Sequence, residues 1–214
     1  MDITKEVILI ANGRFPNIGL ISDSLPVGSS VVCCDGAVSN AHQSGITPDV
    51  IIGDMDSIDP DLFARYKDRA IKIDDQKTND LFKALKWLNG LEIDSVTIIG
   101  ADGLREDHSL GNILLLLENS YSYKIRMVNE FGSFDLLDGE RQLFQSFKGQ
   151  AVSVFCLDKD VKINSSGLKY PLEDFSFSRL YDASLNVATG GTFVISCNKS
   201  DINLLVYRAN EENR

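Results

Sequence analysis

The sequence predicts an α/β protein in two parts: a mostly parallel sheet flanked by helices over residues 1–138, then a small antiparallel β domain over residues 139–214. Three observations predict it. Short β-branched runs alternate with helical patterns through the first part. The helical periodicity then disappears near residue 139. The apolar runs that follow are separated by Gly, Asn, Ser and Asp turns.

In the first part the strand candidates are Val7–Ala11, Val31–Cys34, Val50–Ile52, Ala70–Ile73, Val96–Ile99 and Ile125–Val128. Between them, Asn79–Leu88 carries Leu81, Ala84, Leu85 and Leu88 at helical spacing, and Leu110, Ile113, Leu114 and Leu117 repeat that spacing. Strands that alternate with helices form βαβ units, hence a parallel sheet covered on both faces. In the second part Ala151–Leu157, Val161–Ile163, Thr192–Cys197 and Ile202–Tyr207 read as short antiparallel strands.

Composition narrows the function. With 43% hydrophobic and 24% charged residues the chain reads as an ordinary soluble globular protein. No apolar run approaches the ~20 residues of a membrane span. Val7–Ala11 is short and preceded by both charge signs, so no export signal is visible. Cys33, Cys34, Cys156 and Cys197 form no CxxC motif, which predicts buried free thiols in a reducing, cytoplasmic compartment. The net charge of −10 leaves no footprint for nucleic acid or anionic lipid. It also repels a free triphosphate, which would arrive as its Mg²⁺ complex and meet positive groups such as Arg14, Lys77 and Arg105.

Open parallel sheets bind ligands beyond the carboxyl ends of their strands. Here those ends read Asn12-Gly13-Arg14, Asp35-Gly36-Ala37, Gly53-Asp54-Met55-Asp56, Asp74-Asp75-Gln76 and Gly100-Ala101-Asp102-Gly103. Turn-forming and capping residues are expected there. Paired aspartates at several tips exceed what capping needs, and point to a metal or polyanion site. Asp54 and Asp56 lie two apart, so an extended backbone turns both to one side. Gly53 leaves room for a phosphate. Two adjacent carboxylates repel unless a cation lies between them, and hydrated Mg²⁺ carrying phosphates is the usual occupant. The same stretch also reads as a polar turn before a helix, since Asp56-Ser57-Ile58-Asp59-Pro60 holds good caps.

Two more segments carry polar groups. Asp80 follows Asp75-Gln76-Lys77-Thr78-Asn79 and falls in the first turn of a helix, where the dipole alone favours an acid. The segment Gly100 to His108 runs into a second helix, whose N-terminus and Arg105 suit a phosphate. Asp107 serves there as a cap or a site residue, and His108 as a hydrogen-bonding group. Neither GxxxxGK[ST] nor a kinase glycine-rich loop is present.

Together these segments resemble the thiamine pyrophosphokinase (thiamine diphosphokinase) family. Its D-G-G/A, G-D-x-D-S, D-Q-x-x-T-D with K-A-L, and G-x-x-G-G-R-x-D-H elements correspond to Asp35–Ala37, Gly53–Ser57, Asp75–Asp80 with Lys83-Ala84-Leu85, and Gly100–His108. Its G-L-K-Y-P-L element corresponds to Gly167–Leu172, and Ser184-Leu185-Asn186 is similar to its S-N segment. Asn79 stands where the family usually has Thr, and Leu104 replaces the second glycine before Arg105.

The resemblance implies a Rossmann-like catalytic domain followed by a β-sandwich that binds thiamine. It implies transfer of the diphosphate of ATP to the hydroxyethyl oxygen of thiamine, giving thiamine diphosphate and AMP. Asp54, Asp56 and Asp80 would hold Mg²⁺ with Asp35 close by, and one carboxylate, such as Asp80, would take the hydroxyl proton. Asn12, Gly13, Arg14, Gly36, Gln76, Gly100, Arg105, Asp107 and His108 would line the nucleotide. Gln76, Asp80 and Leu168, with Ser184 or Asn186, would contact thiamine, in a homodimer whose site lies at the subunit interface. A Mg²⁺-dependent phosphohydrolase and a silent thiamine- or nucleotide-binding regulator are the alternatives, and thiamine-dependent AMP formation separates the three.

Overall fold

A computed structural model describes residues 2–137 and 139–210. The division expected between residues 138 and 139 falls at Asp138, outside the described residues. The chain forms two compact units, one of residues up to Leu115 with Tyr121–Glu130, the other of Leu116–Ser120 with residues from Phe131 onward.

The first unit contains β1 (Glu6–Ile10), α1 (Ile18–Ile21), β2 (Ser30–Cys34), α2 (Val38–Gln43), β3 (Val50–Gly53), α3 (Pro60–Tyr66), β4 (Ala70–Lys72), α4 (Asp80–Leu88), β5 (Ser95–Ile99), α5 (Glu106–Glu118) and β6 (Lys124–Asn129). Its strands run parallel in the order β6-β5-β1-β2-β3-β4. Val50, Ile51 and Ile52 are all fully buried, so both faces of β3 are covered, as expected for a parallel sheet. From β1 the chain builds the sheet outward in one direction through β2, β3 and β4. It then returns to the other side of β1 with β5 and β6. The order therefore reverses between β1 and β5, and a crevice opens at such a reversal.

Helix α4 shows how the sequence places site residues. The Asn79 side chain accepts from the Phe82 N–H at 2.8 Å and caps its N-terminus. Leu81, Ala84, Leu85 and Leu88 are buried on one stripe. Each of the three leucines contributes about 1.5–3 kcal/mol by leaving water. Asp80 is thereby held in the first turn, at the edge where β2 and β3 end.

The second unit contains β7 (Gly132–Leu136), β8 (Arg141–Gln145), β9 (Ala151–Cys156), β10 (Ile163–Ser166), β11 (Ala183–Val187), β12 (Thr192–Cys197) and β13 (Leu204–Ala209). Strands β11, β9, β13 and β7 are antiparallel neighbours in that order, and β10, β12 and β8 form a second antiparallel sheet. Val152, Val154 and Val206 from the first sheet share a core with Phe144, Ile163, Phe193 and Ile195 from the second. Phe144 and Phe193 are directly opposed across β8 and β12, with stacked rings 5.0 Å apart. This is a small β-sandwich.

All four cysteines are buried free thiols. Burial, with Asp49 nearby, pushes the Cys33 thiol up to about 12. Among the described residues no helix is long and apolar enough to cross a membrane.

Candidate active site

The site begins where β2 and β3 end side by side, Cys34 opposite Ile52. Asp35 opens a 3₁₀ turn directly after β2 and is 1% exposed. Its carboxylate accepts from the Gly36 N–H at 2.6 Å and the Met55 N–H at 3.1 Å. Met55 takes φ 68°, a left-handed conformation unusual for a residue with a Cβ. That turn sets Asp54 and Asp56 together. The Asp56 N–H donates to Asp54 Oδ1 at 3.3 Å, and Ser57 Oγ donates to Asp56 Oδ1 at 3.0 Å. The pair is therefore brought to one side by a left-handed turn, and not by the alternation of an extended strand. Carboxylate oxygens of Asp35, Asp54 and Asp56 all lie within 4.8 Å of one another.

Helix α4 closes the other side. Lys83, one turn after Asp80, is 4% exposed. Its Nζ lies 2.8 Å from Asp80 Oδ1 and 3.5 Å from Asp54 Oδ2. Gln76 Nε2 also donates to Asp54 Oδ2, at 3.1 Å.

The electrostatics follow from this crowding. Burial, with Asp80 and Asp54 nearby, pushes the Asp35 carboxyl up to about 6. For Asp54, burial works the other way from its neighbours, and the Asp56 N–H and the Lys83 ammonium bring it down to about 2. Burial works against the Lys83 charge, but Asp80 and Asp54 outweigh it and hold its pKa above the ordinary lysine value. A cluster of carboxylates and a hydroxyl, all oxygen donors with excess negative charge, fits a hard divalent cation such as Mg²⁺. Asp80, expected with Asp54 and Asp56 as a ligand, stands outside the close set that Asp35 completes.

Beside the cluster a cavity of about 360 Å³ opens at the reversal between β1 and β5. Asn12, Gly13, Asp80, Ala101, Arg105 and His108 are among the residues lining it. The Gly13 N–H donates to the Gly100 carbonyl at 2.6 Å and the Arg14 N–H to the Asp102 carbonyl at 2.6 Å, stitching the two loops together. A Cβ on Gly13 would sit 2.5 Å from both carbonyl oxygens, so only glycine allows the approach. Asn79 Nδ2 donates to Asn112 Oδ1 at 3.1 Å, and Asn112 Nδ2 to the Ala101 carbonyl at 2.7 Å. This relay ties the start of α4 to the loop after β5.

The expected residues divide accordingly. Asn12, Gly13, Asp80, Arg105 and His108 reach the cavity. Gly36 packs on the Asn12 side chain, Gly100 takes φ 67° against the Ala11 carbonyl, and Arg14 donates to the Gly103 carbonyl at 3.2 Å, so these three lie behind the lining rather than in it. Asp107 forms a two-pronged pair with Arg105, at 3.1 and 2.5 Å. In the second unit, Asn186 is buried, with Oδ1 accepting from the Tyr170 N–H at 3.1 Å and Nδ2 donating to the Tyr170 carbonyl at 2.6 Å. Its amide thus clamps the Gly167–Leu172 segment. Leu168 is buried there, bridged to Ala188. Ser184 precedes Leu185, which is 84% exposed at φ 61° where the pairing of β11 shifts register. Sequence reasoning named Lys83 only within the Lys83-Ala84-Leu85 element, without a site role, and missed Asn112. The signal for Lys83 was present: a lysine three residues after an aspartate and next to the buried Ala84 and Leu85.

Residues 26–128 match the family model of the thiamin pyrophosphokinase catalytic domain, and residues 132–207 match that of the thiamin pyrophosphokinase substrate-binding domain. The chain belongs to the thiamin pyrophosphokinase family. It is 29% identical over 138 residues to the thiamine pyrophosphokinase of Bacillus subtilis (strain 168), across 61% of this chain and 64% of that protein. With thiamine pyrophosphokinase 1 of Oryza sativa subsp. japonica it shares 30% identity over 146 residues, 61% of this chain and 55% of that protein. These matches span less than two thirds of either relative. The fold extends further than the sequence match. The crystal structure of the Bacillus subtilis thiamine pyrophosphokinase superposes with a TM-score of 0.79 at 21% identity, covering 97% of this chain and 100% of that one. The Candida albicans thiamin pyrophosphokinase gives 0.76 at 20% identity, covering 97% and 90%.

Proposed function

We propose that this chain transfers the diphosphate of ATP to the hydroxyl of thiamine, giving thiamine diphosphate and AMP. The observation that carries the reading is the set of carboxylates from Asp35, Asp54 and Asp56, within 4.8 Å of one another at the edge where β2 and β3 end. Membership of a family whose matched domains are a thiamin pyrophosphokinase catalytic domain and a substrate-binding domain supports it.

In this reading Asp35, Asp54 and Asp56 hold Mg²⁺, which when bound offsets the charge of the diphosphate being transferred. The rest falls to the chain itself. Transfer of this kind depends mainly on positioning and electrostatics. Gly13 and Gly100 let the β1 and β5 loops approach each other closely, and Arg105 and His108 line the cavity for the nucleotide. Asp80, fixed in the first turn of α4 by the Asn79 cap, faces the same cavity and accepts the hydroxyl proton. The hydroxyl oxygen then bonds to the β-phosphorus. The bond from that phosphorus to the oxygen of the α-phosphate breaks, and AMP leaves with the electron pair. Leu168, Ser184 and the segment clamped by Asn186 supply the thiamine contacts. The active form is a cytoplasmic homodimer whose site takes residues from both subunits.

Incubation with thiamine, ATP and Mg²⁺ followed by nucleotide chromatography tests the reading. AMP and thiamine diphosphate in equal amounts are expected. ADP released at the same rate without thiamine would replace it with a phosphohydrolase.

A further inference from the structure

Lys83 lies among the carboxylates, yet the transfer step needs no proton or bond from it. Its side chain is 3% exposed. Burying an ammonium is costly unless it is paired, and the buried neighbours Leu81, Ala84, Leu85 and Leu88 show that an apolar residue would suit this part of α4. The ammonium nevertheless joins two elements. It sits 2.8 Å from Asp80 Oδ1 on its own helix and 3.5 Å from Asp54 Oδ2 in the turn after β3. The opposite oxygen of Asp54 accepts from the Asp56 N–H, so that carboxylate is fixed from both ends.

We propose that Lys83 is a positioning residue, a resident cation that holds Asp54 and Asp80 in register and keeps the cluster from capturing a free divalent ion before the nucleotide arrives. The proposal rests on the phosphate-transfer reading of the site. Asp35, Asp54, Asp56 and Asp80 bring four carboxylates to one corner of the sheet edge. With no internal positive charge they would form a chelating cage for any divalent ion present. One ammonium inside the cage lowers its affinity for a bare ion. A metal that arrives bound to triphosphate comes in a complex of net negative charge, which the ammonium does not repel. The same ammonium stops Asp54 and Asp80 from moving apart under their mutual repulsion.

This division of roles has a signature that a packing role lacks. In Lys83→Met, binding of Mn²⁺ alone, followed by the paramagnetic signal of the unbound ion, should tighten about tenfold, since a buried cation near the ion has been removed. The kcat for AMP formation should fall about 10²-fold, as for other lost charge contacts of an active site. Lys83→Arg, which keeps the charge, should hold Mn²⁺ within threefold of wild type and recover part of kcat. Unchanged or weaker Mn²⁺ binding in a folded Lys83→Met protein, or an unchanged kcat, would overturn the proposal. If that variant does not fold, Lys83→Gln carries the same expectation. If neither folds, the ammonium serves the fold alone and the proposal fails. The Mn²⁺ comparison needs no thiamine, so it judges Lys83 even if wild type forms no AMP and the transfer reading is lost.

Discussion

Gly53 and Asp35 sit against each other at the ends of β3 and β2, so closely that a Cβ on Gly53 would lie 2.7 Å from the Asp35 Cβ and Cγ. The glycine of the Gly-Asp-Met-Asp-Ser turn is there to admit a buried carboxylate. Gly53→Ala should therefore displace Asp35, costing about 1–3 kcal/mol of stability as overpacking does. Diphosphate transfer should fall at least tenfold in the same variant. Urea unfolding alongside a product assay checks both, and wild-type values in both would mean that the turn adapts freely.

How much of this was legible in the sequence varies with the kind of signal. Val50-Ile51-Ile52 could be read as a covered strand because every residue is apolar, and burial on both faces produces that run. Strand β8, Arg141–Gln145, was not legible, since among its residues only Phe144 is buried, Leu143 faces outward, and the other three are polar. Strand β11 hides for a related reason: its register shift places Leu185 outward, where an apolar residue misleads. In the site, Asp54 and Asp56 stood out by their spacing. Asp35 was placed near the site but not among the metal ligands, because its burial against the cluster depends on Gly53, eighteen positions later and on the neighbouring strand. Lys83 was read only as part of the Lys83-Ala84-Leu85 element and given no site role, because lysines on helices usually face water. Its pairing with Asp54 across 29 residues is tertiary information.

Asp54→Asn and Asp56→Asn should each lower kcat by about 10². They should differ in stability. Asp54→Asn leaves the buried Lys83 with one carboxylate fewer and should cost about 1–3 kcal/mol. Asp56 is exposed and its hydrogen bonds, to Ser57 and Asp54, stay within its own turn, so Asp56→Asn should stay within about 0.5 kcal/mol of wild type. Thermal melts of the two variants at neutral pH decide this, and equal losses would contradict the pairing.

The raised Asp35 carboxyl gives metal dependence a pH signature. Asp35 titrates at about 6 in the folded protein against 3.8 for an ordinary aspartate. Its contribution to stability is therefore present below about 4 and is lost as pH rises through about 6. Mg²⁺ competes with that proton. The rise in Tm on adding Mg²⁺ with ATP, over that with ATP alone, should be clear at pH 7.5 and much smaller at pH 5. An equal rise at both values would remove Asp35 from the metal site.

Asn79 occupies the position where the resembled pattern carries threonine, and the structure explains why either suits. Its side chain caps α4 and donates to Asn112. Asn79→Ala should cost about 1 kcal/mol, as a lost N-cap does. Asn79→Thr keeps a capping oxygen but loses the amide donor, so it should retain most of the stability while loosening the loop after β5. Denaturant midpoints for the two variants, with KM for ATP, separate the cap from the relay.

The central claim is that Asp35, Asp54, Asp56 and Asp80 serve an intact diphosphate transfer from ATP to thiamine. The most direct measurement follows isotope-labelled phosphate from ATP into products in the presence of thiamine and Mg²⁺. Label at the γ-position should appear in the terminal phosphate of thiamine diphosphate, and label at the α-position entirely in AMP. γ-label recovered as free phosphate, or in thiamine monophosphate, would contradict the account.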